Sequence, residues 1–163
     1  MMTKEQLKDA IMHQFEEQNR RDNEIITMRF WRFTFIPNLN PIEQDMFYGC
    51  VNELIDEGKI TYEKDGLECL RLTQKGYDDI YEVRADSQLE DEIMNRFPHN
   101  CRVRDIIRVP SLWIDLKKEL NPKEYDKMVD IINGLIDKAY ISYEKTPFEC
   151  LRLEQKGFDY IYR

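Results

Sequence analysis

Two stretches of the chain carry the same reactive set: Glu68, Cys69 and Arg71, and again Glu149, Cys150 and Arg152. A guanidinium beside a thiol favours the thiolate, so the chemistry open to this trio is a redox switch. If Leu70 and Leu72 face the core of a strand, Cys69 and Arg71 point away from it. Common descent of the two stretches explains their identity equally well. The other candidates are sparse. His13 and His99 are the only histidines, and neither has a histidine at the matching place in the other stretch. His99 and Cys101 could begin a metal site, but no second pair at ligand spacing completes it. With no glycine-rich phosphate loop, nucleophile elbow or H-E-x-x-H, the sequence points away from an enzyme, with no catalytic residue, metal or cofactor expected.

These residues recur because most of the chain is a duplication. Residues 67–82 read LECLRLTQKGYDDIYE, and residues 148–163 read FECLRLEQKGFDYIYR. At an offset of 81, 26 of the 59 positions from Glu24 to Glu82 match their counterparts, so one fold must serve both copies. The expected organisation is a first repeat over 1–82, a linker over 83–87 and a second repeat over 88–163. Units of this size bury only a modest core. The copies are therefore expected to pack as an intramolecular pseudo-dimer through their terminal aromatic helices, with Tyr160, which replaces Asp79, as one contact. A homodimer of whole chains stays an open alternative.

Each copy opens with a helix. Thr3 with Gln6, and Ser87 with Glu90, read as capping boxes, followed by Leu7, Ile11, Met12 and Phe15 and by Leu89, Ile93, Met94 and Phe97 at helical spacing. Ile25-Ile26 and Ile106-Ile107 suggest brief strands. Pro110 starts a second helix carrying Leu112, Trp113, Leu116 and Leu120. Its counterpart, Phe30 to Phe35, fits either a helix or a strand. Asn40-Pro41-x-Glu43 and Asn121-Pro122-x-Glu124 then open a third helix, with an N-cap, a first-turn proline and an acid near the positive end. Beyond it the period falls to two, giving a hairpin with Leu70 and Leu72 inward. Its turn holds Asp65-Gly66 in one copy and Thr146-Pro147 in the other, so the two turns should differ in shape. Thr73 caps a last short helix. The fold class expected is α+β, mainly helical, with each repeat built of three helices, a hairpin and a terminal helix.

Net charge is −8, and 42% hydrophobic with 34% charged residues is the composition of an ordinary globular protein. No apolar run approaches a membrane span, and the polar start is not expected to act as a signal peptide. Four scattered cysteines without a C-x-x-C pair suggest reduced thiols and a cytoplasmic setting.

Helix, strand, helix, helix and hairpin is the order of a winged helix-turn-helix. The ending LRLTQKGYDDIY resembles the close of MarR/PadR-type regulators, and LRLEQKGFDYIY keeps its Leu153 and Gly157. The resemblance implies a third helix that enters the DNA major groove and a wing that touches the backbone. The charges argue otherwise. The outward residues of helix 41–57 are read as Glu43, Gln44, Asp45, Tyr48, Gly49, Asn52, Glu53, Asp56 and Glu57, five acids and no cation. In helix 122–138, Lys123, Lys127 and Lys138 offset Glu124, Asp126, Asp130 and Asp137. Duplex affinity comes largely from neutralising phosphates, so the first helix would be repelled. A protein partner is therefore favoured, contacting Glu43, Asp45, Tyr48, Asn52, Glu53, Asp56 and Glu57. The alternative is a DNA-binding regulator acting through Arg102, Arg104, Arg108, Lys117 and Lys118, with Arg96 beside them. Arg29-Phe30-Trp31-Arg32-Phe33 could stack single-stranded bases, although core packing is the simpler duty for its aromatics.

Overall fold

A three-residue lead tied down by its own cap begins the first unit. In this computed structural model, which describes residues 1–163, helix α1 (Lys4–Glu17) starts where Thr3 accepts from the Gln6 N–H (3.2 Å) and Gln6 accepts from the Thr3 N–H (2.8 Å). Leu7, Ile11, Met12 and Phe15 form its buried stripe. Strand β1 (Ile25–Thr27) leads directly into α2 (Met28–Phe30), because Thr27 ends the strand and caps the helix through the Phe30 N–H. The chain continues through a π-helical turn (Trp31–Phe35) and a 3-10 turn (Ile36–Asn38). The ambiguous aromatic stretch is therefore helical. Trp31 is fully buried, with its ring centroid 5.1–6.0 Å from those of Phe15, Phe30, Phe35 and Phe47, while Phe33 stays in water.

Helix α3 (Pro41–Asp56) follows, capped reciprocally by Asn40 and Glu43. Strands β2 (Ile60–Glu63) and β3 (Cys69–Leu72) form the hairpin, and α4 (Gln74–Ile80) closes the unit. The sheet is antiparallel in the order β1-β3-β2, pairing Ile25 with Arg71 and Ile60 with Leu72.

The chain divides into Met1–Glu82 and Val83–Arg163. The second unit repeats the first: α5 (Asp86–Met94), β4 (Ile106–Arg108), α6 (Val109–Glu119), α7 (Pro122–Asp137), β5 (Ile141–Glu144), β6 (Cys150–Leu153) and α8 (Gln155–Ile161), with sheet order β4-β6-β5. The protein is thus α+β, two similar units of helices and a three-stranded antiparallel sheet. One close approach explains a matched glycine. A Cβ on Gly76 would lie 2.1 Å from the Lys59 carbonyl oxygen, and one on Gly157 would lie 2.0 Å from that of Tyr140, so only glycine lets α4 and α8 pack there.

Several local expectations change. Helix α5 begins at Asp86, inside the expected linker, and Ala85 is its N-cap. The Gln88 side chain accepts from the Ala85 N–H (3.1 Å), while Glu90 pairs with Lys138 instead of completing a box with Ser87. Arg84, also in that stretch, is fixed to Glu124. The hairpin turns do differ: Gly66 takes φ +82°, and Thr146–Pro147 is a cis peptide. Thr73 caps α4, whereas Glu154 does not cap α8 and accepts from the Ser142 hydroxyl instead (2.7 Å).

Candidate interaction surface

The reactive trios turn out to be clamps. Strand β3 is central, hydrogen-bonded on both edges, and Cys69 is buried within it rather than turned to solvent. Burial first, and then the nearby Glu63 carboxylate, push the Cys69 thiol up, opposite to what a reactive thiolate needs. Arg71 is taken up by Glu63 across the hairpin (2.7 and 2.8 Å) and donates to the Asn23 carbonyl. Arg152 repeats this with Glu144 (2.8 and 2.7 Å) and the Arg104 carbonyl (2.8 Å). Asn23 and Arg104 both have positive φ, so each arginine ties a left-handed turn to the hairpin. Cys150 is buried as well, and all four cysteines are free. His99 and Cys101 meet Tyr162, whose hydroxyl lies 3.5 Å from the Cys101 sulfur and donates to the His99 carbonyl.

The five-acid face of α3 also resolves into different duties. Glu43 is 6% exposed and accepts from the Met2 N–H (2.6 Å) and the Asn40 N–H (3.1 Å). Those donors, Met2 foremost, hold its carboxyl below the usual range. Glu53 pairs with Lys4 and Lys8, and Glu57 with Lys8 and Lys59. The lysine hydrogen bonds keep both carboxyls low and the Lys8 ammonium high. These three acids are internal fasteners, since α3 packs against the lead and α1 along that side. The exposed line of α3 is Ile42, Asp45, Tyr48, Asn52 and Asp56.

The second unit makes the same helix–helix connection with reversed polarity. Lys138, the counterpart of Glu57, pairs with Glu90, the counterpart of Lys8 (2.7 Å). Lys127 pairs with Asp86 (2.6 Å). Two of the lysines expected to balance α7 are therefore directed at α5, and its exposed line is Asp126, Val129, Asp130, Asn133 and Asp137. Tyr160, expected to bridge the copies, acts inside its own unit, against Tyr140 (4.9 Å) and as a donor to Asp91.

Between the second helix, the third helix and the hairpin, each unit has a groove built from equivalent positions. In unit 1, Met28, Val51, Ile55 and Leu70 line it with Tyr48, Asn52 and Tyr62, enclosing about 260 Å³. Arg32 forks onto Glu68 there (2.7 and 3.1 Å), and the Tyr62 hydroxyl donates to the same carboxylate (2.7 Å). The Arg32 bonds, then that from Tyr62, keep the Glu68 carboxyl low. In unit 2, Val109, Ile132, Ile136 and Leu151 take the apolar places, with Val129, Asn133 and Tyr143 beside them and about 240 Å³ enclosed. Trp113 stands where unit 1 has Arg32, and the groove is almost wholly apolar. Val129 is 55% and Tyr143 48% exposed. The outward valine in α7 was the sequence signal for this surface, but its meaning depends on which strand lies beside it.

The basic candidates come from separate elements. Arg102 and Arg104 sit in the turn before β4, and the Arg108 guanidinium lies over the Phe148 ring at 4.5 Å. Lys117 and Lys118 are in the last turn of α6, about 14 Å along the helix from Arg108. Arg96 is held by Glu92 and Glu119. No helix is long and apolar enough to cross a membrane. No protein-family model and no curated protein matches the chain.

Proposed function

We propose that the chain is a non-enzymatic tandem winged-helix module that recognises another protein through the face formed by its second helix, third helix and hairpin. The order of elements in each unit, with the first strand paired to the second strand of the hairpin, supports the winged-helix reading. The single observation that carries the function is the apolar groove of unit 2, set where a DNA-reading winged helix would present cations. Helix α3 contains no Lys or Arg, and Lys127 and Lys138 are paired with acids of α5. Such a face repels phosphate and presents apolar area suited to protein contact.

The second reading is a DNA-binding regulator using Arg102, Arg104, Arg108, Lys117 and Lys118, and the exposure of all five favours it. Fluorescence anisotropy of a labelled random duplex at ~50 mM and ~200 mM salt separates the two. Protein recognition predicts no binding at either salt. Binding that falls by orders of magnitude between them, and is lost when Arg102, Arg104 and Arg108 are replaced by Ala, would overturn it in favour of the regulator.

A further inference from the structure

We infer that the groove of unit 2 docks a basic amphipathic helix from a partner protein. Its apolar side chains enter between α6, α7 and the hairpin, and its Lys or Arg residues lie along α7. The inference rests on the protein-recognition reading and adds the chemistry of the occupant. Size is the first argument. About 240 Å³ is below the ~300–1,000 Å³ of sites for drug-sized ligands, and suits a few aliphatic side chains presented by a larger partner.

Charge is the second. Asp126, Asp130, Asn133 and Asp137 follow one another along α7 at helical spacing, a line about 16 Å long. No ion pair neutralises Asp130 or Asp137, because the neighbouring Lys127 and Lys138 are engaged with α5. An apolar groove bordered by Asp130 and Asp137 is complementary to a helix with an apolar stripe and a cationic flank.

Unit 1 supplies an internal control. Its equivalent groove carries the Arg32–Glu68 pair and the Tyr62 hydroxyl bound to it. An apolar side chain entering there would have to desolvate or displace a charged network. Unit 2 replaces Arg32 with Trp113, so Tyr143 keeps a hydrogen bond to Glu149 but no ion pair crosses its groove. Docking is accordingly confined to unit 2.

The test uses the full chain and two synthetic helices of about four turns. Both carry the same leucine stripe, with Lys flanking it in one and Glu in the other. Trp113 lines the groove and Trp31 is sealed in the unit 1 core, so the emission change reports the groove. The Lys helix should shift the emission to the blue and saturate in the micromolar range, while the Glu helix should not. Val129→Asp should weaken the Lys helix by about tenfold or more, and the exposure of Val129 lets that variant fold. It makes the chain more acidic, so non-specific attraction predicts the opposite sign. Asp130→Asn with Asp137→Asn should weaken binding several-fold and reduce its salt dependence.

Undiminished binding to Val129→Asp would overturn the groove as the site, as would failure of both helices to move Trp113. Equal binding of both helices, lost in Val129→Asp, would overturn the basic occupant and leave the protein-recognition reading standing. That reading falls on the duplex titration instead.

Discussion

Glu43 and Glu124 show how far a residue's duty can lie from its charge. Both are buried at the third position of a third helix, and each ties down the segment ahead of its unit's first helix. Glu43 does so through the Met2 N–H and Glu124 through the Arg84 backbone and guanidinium. Because the Glu43 carboxyl is held low, its contribution to stability is fully present above the ordinary carboxylate pKa of ~4.3. It is lost as pH falls through the lower native value. The urea midpoint of the wild type should therefore drop on acidification below about pH 4.5. In Glu43→Gln it should already be lower at neutral pH and should fall less steeply. Some acid sensitivity should persist, since Glu53, Glu57, Glu63 and Glu68 are also held low by cations. Parallel curves for the two proteins would remove Glu43 from that role. In the sequence Glu43 read as an acid near the start of its helix and as an outward contact. Its burial was not legible, because the lead that covers it is distant in the chain. The same holds for Cys69 and Arg71, whose partner Glu63 comes from strand pairing.

At the scale of elements, local signals were read well and contacts between elements were not. The Thr3–Gln6 box, the Asn40 cap, the buried stripes and the hairpins depend on neighbours in sequence and form as expected, whereas the Ser87–Glu90 box does not. Phe30 to Phe35 satisfied two periods at once, and its π turn became visible only with Trp31 inside an aromatic cluster. The first-helix to third-helix bridges depend on which faces meet. Lys8 meets Glu57 in unit 1, and Glu90 meets Lys138 in unit 2. Exchanging first helices between the units would bring Lys8 against Lys138 and Glu90 against Glu57, so each pairing disfavours the wrong mate. Lys8→Glu should lower the thermal midpoint, and adding Glu57→Lys should recover part of the loss. Circular dichroism melts of the two single variants and the double variant check this. Additive losses in the double variant would mean that the bridge does not couple the helices.

For the molecule as a whole, the duplication gave the sequence reading its architecture but concealed a divergence. The two units share a frame, and their grooves occupy equivalent positions. One is crossed by Arg32–Glu68, and the other is apolar around Trp113. The acids read on the outward face of α3 were the sequence's ground for expecting a protein partner. Of the five acids read as facing outward on α3, Glu43, Glu53 and Glu57 hold the unit together. The apolar groove surface lies on the other copy. The most direct measurement is a nitrogen–proton correlation spectrum of the full chain, titrated with the Lys-flanked helix and separately with duplex DNA. The prediction is movement of the Trp113 indole and the Asn133 and Tyr143 amides with the helix, quiet signals from the unit 1 groove, and no response to DNA. Shifts confined to Arg102, Arg104 and Arg108 on adding duplex, with the Trp113 indole unmoved by the helix, would contradict it.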